Sequence, residues 1–129
     1  MSDVTDPKAW ADKAEDDFTA AQLLLRRKEP LTYIVCYHSQ QCAEKYFKAL
    51  LIANGHQFPR SHDLVMLNDL CTQAGILVEI DRTRLALLTD HAIRTRYPGD
   101  DPTVEEARSA LETAKAVRRF SRKYLGLTK

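Results

Sequence analysis

The 129-residue chain has few of the residues that mark several common architectures. Four glycines and five prolines leave too little turn material for a many-stranded sandwich or barrel. Three cysteines, Cys36, Cys42 and Cys71, are an odd number without paired C-x-x-C spacing. They make neither a disulfide framework nor a zinc knuckle, and read as small buried hydrophobes in a reducing compartment. No apolar run approaches the ~20 residues of a membrane span, and no basic-plus-apolar leader precedes Trp10, so the expectation is a cytoplasmic protein with no membrane partner. Glycine falls only at positions 55, 75, 99 and 126, which excludes a glycine-rich phosphate loop. A net charge of +1 excludes the strong overall field of nonspecific DNA coaters.

What remains is ordinary for a globular domain, with 44% hydrophobic and 29% charged residues. Length predicts one domain over 1–129, with about two-thirds of the unfolded surface buried. Charge is uneven along the chain. Positions 115–129 carry six basic residues and no acid, whereas 3–17 carry five Asp, one Glu and two Lys.

Helix punctuation recurs throughout. Asp6-Pro7 starts a first helix, on which Trp10, Ala14, Phe18, Ala21, Leu24 and Leu25 share one arc before Pro30. A second runs from about Leu31 to Asn54 and stops at Gly55. A third takes Asp63 to Ala74, capped by Ser61 or His62 and stopped by Gly75. The apolar residues of 76–79 read as a loop that seals the core. A fourth helix spans about Asp81 to Thr95, ended by Pro98-Gly99. Thr103 and Glu106 form a capping box for a fifth, which reaches Tyr124 or Leu125. The predicted fold is all-α: an up-and-down antiparallel bundle of four to five helices with short connections.

Two helices carry candidate chemistry. On the second, Gln41, Lys45 and Lys48 follow an i, i+4, i+7 spacing on the stripe opposite the apolar arc, so two ammonium groups and an amide suit a phosphate or nucleotide. A solvated face or a subunit interface accounts for the same stripe. On the fourth, Arg84 and His91 stand two turns apart on one face, with Arg94 a turn further. An imidazole can move a proton at a 2′-hydroxyl or leaving oxygen, and a guanidinium can hold phosphate charge, without a metal. A surface Arg and an incidental His make the same pattern. Arg94, Arg96 and Tyr97 could bind phosphate and stack a base, or simply cap a helix end. Arg108, Lys115, Arg119 and Arg122 line one stripe of the fifth helix, a modest basic face more often devoted to solubility. His62-Asp63 lacks the further ligands of a metal phosphohydrolase, and no metal site or cofactor is expected.

Tyr37 to Leu51, with its Q-x-A-E-K-x-x-K-A-L-like run from Gln41 to Leu50, followed by Gly55, by Pro59-Arg60-Ser61-His62-Asp63-Leu64 and by Arg96-Tyr97-Pro98, resembles the HEPN ("higher eukaryotes and prokaryotes nucleotide-binding") domain family over roughly Trp10 to Tyr124. That resemblance implies a helical bundle that forms homodimers. It also implies nucleotide or RNA binding, often beside a minimal nucleotidyltransferase partner chain in toxin–antitoxin modules. Other members are metal-independent RNases with an R-x4-6-H motif shared across the dimer, which here corresponds to Arg84 and His91; where RNase members commonly place a polar residue after the Arg, this chain has Leu85. Three functions follow as expectations. The first is a module that binds nucleotide or single-stranded RNA phosphate with a nucleotidyltransferase partner. The second is a metal-independent RNase toxin, and the third a non-catalytic interaction module.

Overall fold

Every helix begins or ends where local chemistry dictates. The computed structural model describes residues 5–94 and 97–127. Helix α1 (Pro7–Leu25) starts where the Asp6 side chain accepts a 2.9 Å hydrogen bond from the Lys8 amide, with proline in the first turn, where its missing N–H costs nothing. Helix α2 (Thr32–Ala53) ends at Gly55, whose φ of 74° takes the left-handed turn that lets the His56 amide reach back to the Leu51 carbonyl at 2.9 Å. Helix α3 (Leu64–Gln73) is capped by Asp63, whose carboxylate accepts from the amides of Val65 and Met66. Neither Ser61 nor His62, the cap residues expected from the sequence, takes that position. Ser61 Oγ instead accepts from the Asp63 amide, and the His62 ring turns back to α2.

Helix α4 (Arg82–Arg94) follows Asp81, which accepts from the Thr83 amide. Helix α5 (Val104–Tyr124) opens with the expected capping box: Thr103 Oγ1 accepts from the Glu106 amide, and Glu106 Oε1 accepts from the Thr103 amide. Among the described residues the secondary structure is helical with no strand.

Helix α2 is the axis of the bundle and packs against each of the other four helices. Its buried arc of Val35, Cys36, Tyr46, Phe47, Leu50 and Leu51 meets Phe18 from α1, Leu64 and Leu67 from α3, Leu85 and Leu88 from α4, and Val117 from α5. Ala107, Ala110 and Ala114 keep the inner face of α5 narrow, which allows close helix approach. Between α3 and α4, Ile76 and Val78 are buried while Leu77 is exposed, so the connector closes one end of the core. All three cysteines are buried and unpaired, and burial pushes the thiols of Cys36 and Cys71 up to about 12. No described helix is long and apolar enough to cross a membrane.

Candidate functional site

Three carboxylates inside the bundle set its electrostatics. Glu15 on α1 receives the Arg118 guanidinium in a fork, Nε at 2.7 Å and Nη2 at 2.8 Å, and also a short hydrogen bond from the Tyr46 hydroxyl. Burial pushes its carboxyl up, but the hydrogen bonds from Arg118 and Tyr46 and the charges of Arg118 and Arg122 outweigh this and hold it below the ordinary range. Asp17 holds Lys45 Nζ at 2.6 Å and His38 Nδ1 at 2.8 Å. Glu44 accepts from Lys48 Nζ at 2.7 Å and from Gln40 Nε2 at 3.0 Å, and lies 2.7 Å from His62 Nδ1. Burial raises Glu44 too, and the bonds from Lys48, His62 and Gln40 reverse the sign.

These pairs decide what the α2 stripe does. Lys48 is buried against its own Glu44, and its ammonium sits 5.7 Å from the Trp10 ring centroid and 5.0 Å from that of Phe58. Lys45 leans onto α1. Gln41 instead donates to the Gln40 side chain at 2.8 Å and lines a shallow hollow with Tyr37, His62, Ala92 and Ile93. The three heads, which share a helical stripe in sequence, are thus drawn to three different surroundings, and the stripe is not a solvated face.

Helix α4 does the opposite and gathers its candidates. Arg84 and His91 line one cavity of about 260 Å³ between α4 and α5, with Leu87 and Leu88 on the same helix and Glu105, Glu106, Ser109, Ala110 and Thr113 opposite. Their separation of seven residues puts both on one side of α4, while Leu85 and Ala92 turn inward. The His91 side chain is only 11% exposed, with Nε2 3.4 Å from Glu106 Oε2. Glu106 therefore serves twice, one oxygen closing the α5 cap and the other facing the imidazole. Among the described residues Arg84 makes no ion pair, so its charge remains available to a ligand.

Chemically the cavity offers a cation, an imidazole beside a carboxylate, and the hydroxyl-bearing Ser109 and Thr113. The guanidinium can hold a phosphate oxygen and the imidazole can transfer a proton, at points about two helical turns apart along the cavity wall. Tyr97, just past α4, is 64% exposed. Arg96 and the side chain of Arg94 lie outside the described residues.

The HEPN domain matches residues 7–124, nearly the whole of what has just been described. This chain belongs to the HEPN domain family. One relative, "Putative toxin MJ1304" of Methanocaldococcus jannaschii, is 43% identical over 53 residues, 41% of this chain. The matched stretch is 34% of that relative's length. A solved structure, TT1696 from Thermus thermophilus, shares the fold of this HEPN domain with a TM-score of 0.69 at 23% identity. That likeness covers 91% of this chain and 96% of the Thermus chain.

The walls of the HEPN cavity contributed by α5 have no signature in the sequence. Glu106 was legible as a capping residue, but its second oxygen's reach to His91 depends on how α4 and α5 are rotated against each other.

Proposed function

We propose that this HEPN domain binds RNA or nucleotide phosphate in the α4–α5 cavity, as the toxin-like half of a module with a minimal nucleotidyltransferase partner. The observation that carries the reading is the placement of Arg84 and His91 on the wall of one cavity, with Arg84 free of any ion pair among the described residues. The toxin name of the Methanocaldococcus relative supports the module, and the engagement of Lys45 and Lys48 by Asp17 and Glu44 moves the phosphate contact from α2 to α4. Titration of AMP, ATP and a short single-stranded RNA tests it. Saturable binding that weakens about tenfold or more in Arg84→Ala supports the reading, and no saturation at millimolar ligand refutes it.

A second reading is favoured by His91 itself, an imidazole beside a carboxylate in the same cavity. In this reading the cavity cleaves RNA without metal. The imidazole takes the 2′-hydroxyl proton, the 2′-oxygen attacks phosphorus, and the bond to the 5′-oxygen breaks as that oxygen takes the proton back from the imidazolium, leaving a 2′,3′-cyclic phosphate and a 5′-hydroxyl. Arg84 stabilises the charge on the pentacoordinate phosphorus. Two turns of α4 separate the residues by ~10 Å along the axis, so pairing Arg84 of one copy with His91 of another in a homodimer would bring both to one phosphate. Cleavage in EDTA that disappears in His91→Ala supports this reading, and cleavage that survives the substitution refutes it.

A further inference from the structure

The α1–α5 face carries a second concentration of positive charge. Lys115, Arg118, Arg119 and Arg122 line an open groove of about 460 Å³, with Phe18 and Gln22 of α1 as its other wall. Their i, i+3, i+4, i+7 spacing sets all four on one side of α5. At 100° per residue that side is roughly opposite the one that faces α4, so the groove is separate from the Arg84–His91 cavity.

The four cations are not simply neutralised by their neighbours. Glu15 answers Arg118 and Arg122, and Glu112 answers Lys115 at 3.2 Å, which leaves a surplus of two positive charges. Arg119 is exposed and, among the described residues, has no ion pair. Arg118 is fixed in place, forked by Glu15 and laid over the Phe18 ring at 4.5 Å. Arg122 Nη1 donates to the Tyr46 hydroxyl while its buried Nε has no hydrogen-bond partner. Two guanidiniums are therefore held rigidly by the core, beside two more exposed cations on the rim.

We infer that this groove binds the phosphate backbone of single-stranded RNA, as a contact surface distinct from the α4–α5 cavity. Three of the four cations are arginines, whose planar forks suit phosphate oxygens. The centre of a stable protein contact is usually a well-packed, desolvated pocket filled by aromatic or arginine anchors. Here Phe18, the groove's apolar residue, is only 6% exposed and is covered by Arg118. Backbone binding needs no such anchor, because release of counterions from phosphates supplies the affinity. The inference shares with the reading above only the class of ligand and depends on different residues.

The test is a fluorescence-anisotropy titration of a labelled mixed-sequence 12-nucleotide RNA at several salt concentrations. Wild type is compared with Lys115→Ala/Arg119→Ala, with the single variant Arg119→Gln, and with Arg84→Ala. Both rim positions lie on the outer side of α5, so thermal melts should match wild type within a few degrees. The double variant is expected to bind tenfold or more weakly at low salt, with the slope of log K against log salt reduced by about 1.4, two phosphates' worth for a single strand. Arg119→Gln should lose about half of that slope. Unchanged affinity and slope in the rim variants, with loss in Arg84→Ala, would overturn the groove and leave the cavity reading intact; the reverse pattern would overturn the cavity and keep the groove. Displacement of the RNA by poly-glutamate at equal charge concentration would also overturn the proposal, in favour of an acidic protein partner.

Discussion

Replacing Lys48 with methionine separates a structural lysine from a ligand-binding one. The substitution keeps most of the side-chain volume and removes only the ammonium. In the folded chain that ammonium is 2.7 Å from Glu44 Oε2, with the two side chains 9% and 5% exposed. Breaking a buried pair by removing one partner costs roughly 3–5 kcal/mol, because the remaining charge is desolvated and uncompensated. Glu44 keeps two other partners, His62 and Gln40, so the lower end applies. The lost contacts to Trp10 and Phe58 add about 0.5–1 kcal/mol. A total near 3–4 kcal/mol, with the usual unfolding entropy per residue, lowers Tm by roughly 11–15 °C. Differential scanning calorimetry measures this directly, and Glu44→Gln/Lys48→Met should recover part of the loss, since a neutral pair no longer strands a charge. A Tm within 3 °C of wild type for Lys48→Met, together with a tenfold loss of nucleotide affinity, would refute the reasoning and make Lys48 a ligand contact.

Acid should unfold the protein through the same carboxylates. Glu15 and Glu44 are both held below their ordinary value of 4.5, so each contributes stability above that pH and loses it as pH falls through its lower folded value. Tm measured from pH 7 downward should therefore drop below about pH 5, and less steeply in Glu44→Gln. A steeper drop in that variant would contradict the assignment. The buried thiols should resist iodoacetamide in the native state at pH 8 and react fully in guanidinium, as mass spectrometry would report. Rapid native labelling of Cys36 or Cys71 would contradict their burial.

The bundle was legible because its boundaries are set by local chemistry. Asp6-Pro7, Gly55, Gly75 and the Thr103–Glu106 box each act within a few residues, and the structure uses them all. The α3 cap was misread because Ser61, His62 and Asp63 all carry acceptors, and which one takes the extended cap backbone is decided by how the connector docks on α2. Arg84 and His91 could be placed on one face by spacing alone, but the opposing wall, some twenty residues downstream on α5, depends on helix rotation.

The α2 stripe shows the limit of a helical wheel. Lys45 finds Asp17 28 residues earlier, and Lys48 is roofed by Trp10 and Phe58 from outside its own helix. A wheel assigns direction; it does not reveal what arrives to cover a face. The basic stripe of α5 was visible in part, as Lys115, Arg119 and Arg122, whereas Arg108 pairs with Glu105 away from the groove; the place of Arg118 and the bracing of Arg118 and Arg122 by Glu15 and Tyr46 were not visible, since those partners lie on α1 and α2.

The most direct test of the α4–α5 cavity is NMR of the four histidine rings during titration with a short single-stranded RNA in EDTA. His38, His56, His62 and His91 occupy different surroundings, and His91→Ala assigns the decisive signal. The His91 ring resonances should move saturably with RNA, and Arg84→Ala should weaken this response. His91 signals that stay fixed while the protein binds RNA elsewhere would contradict it.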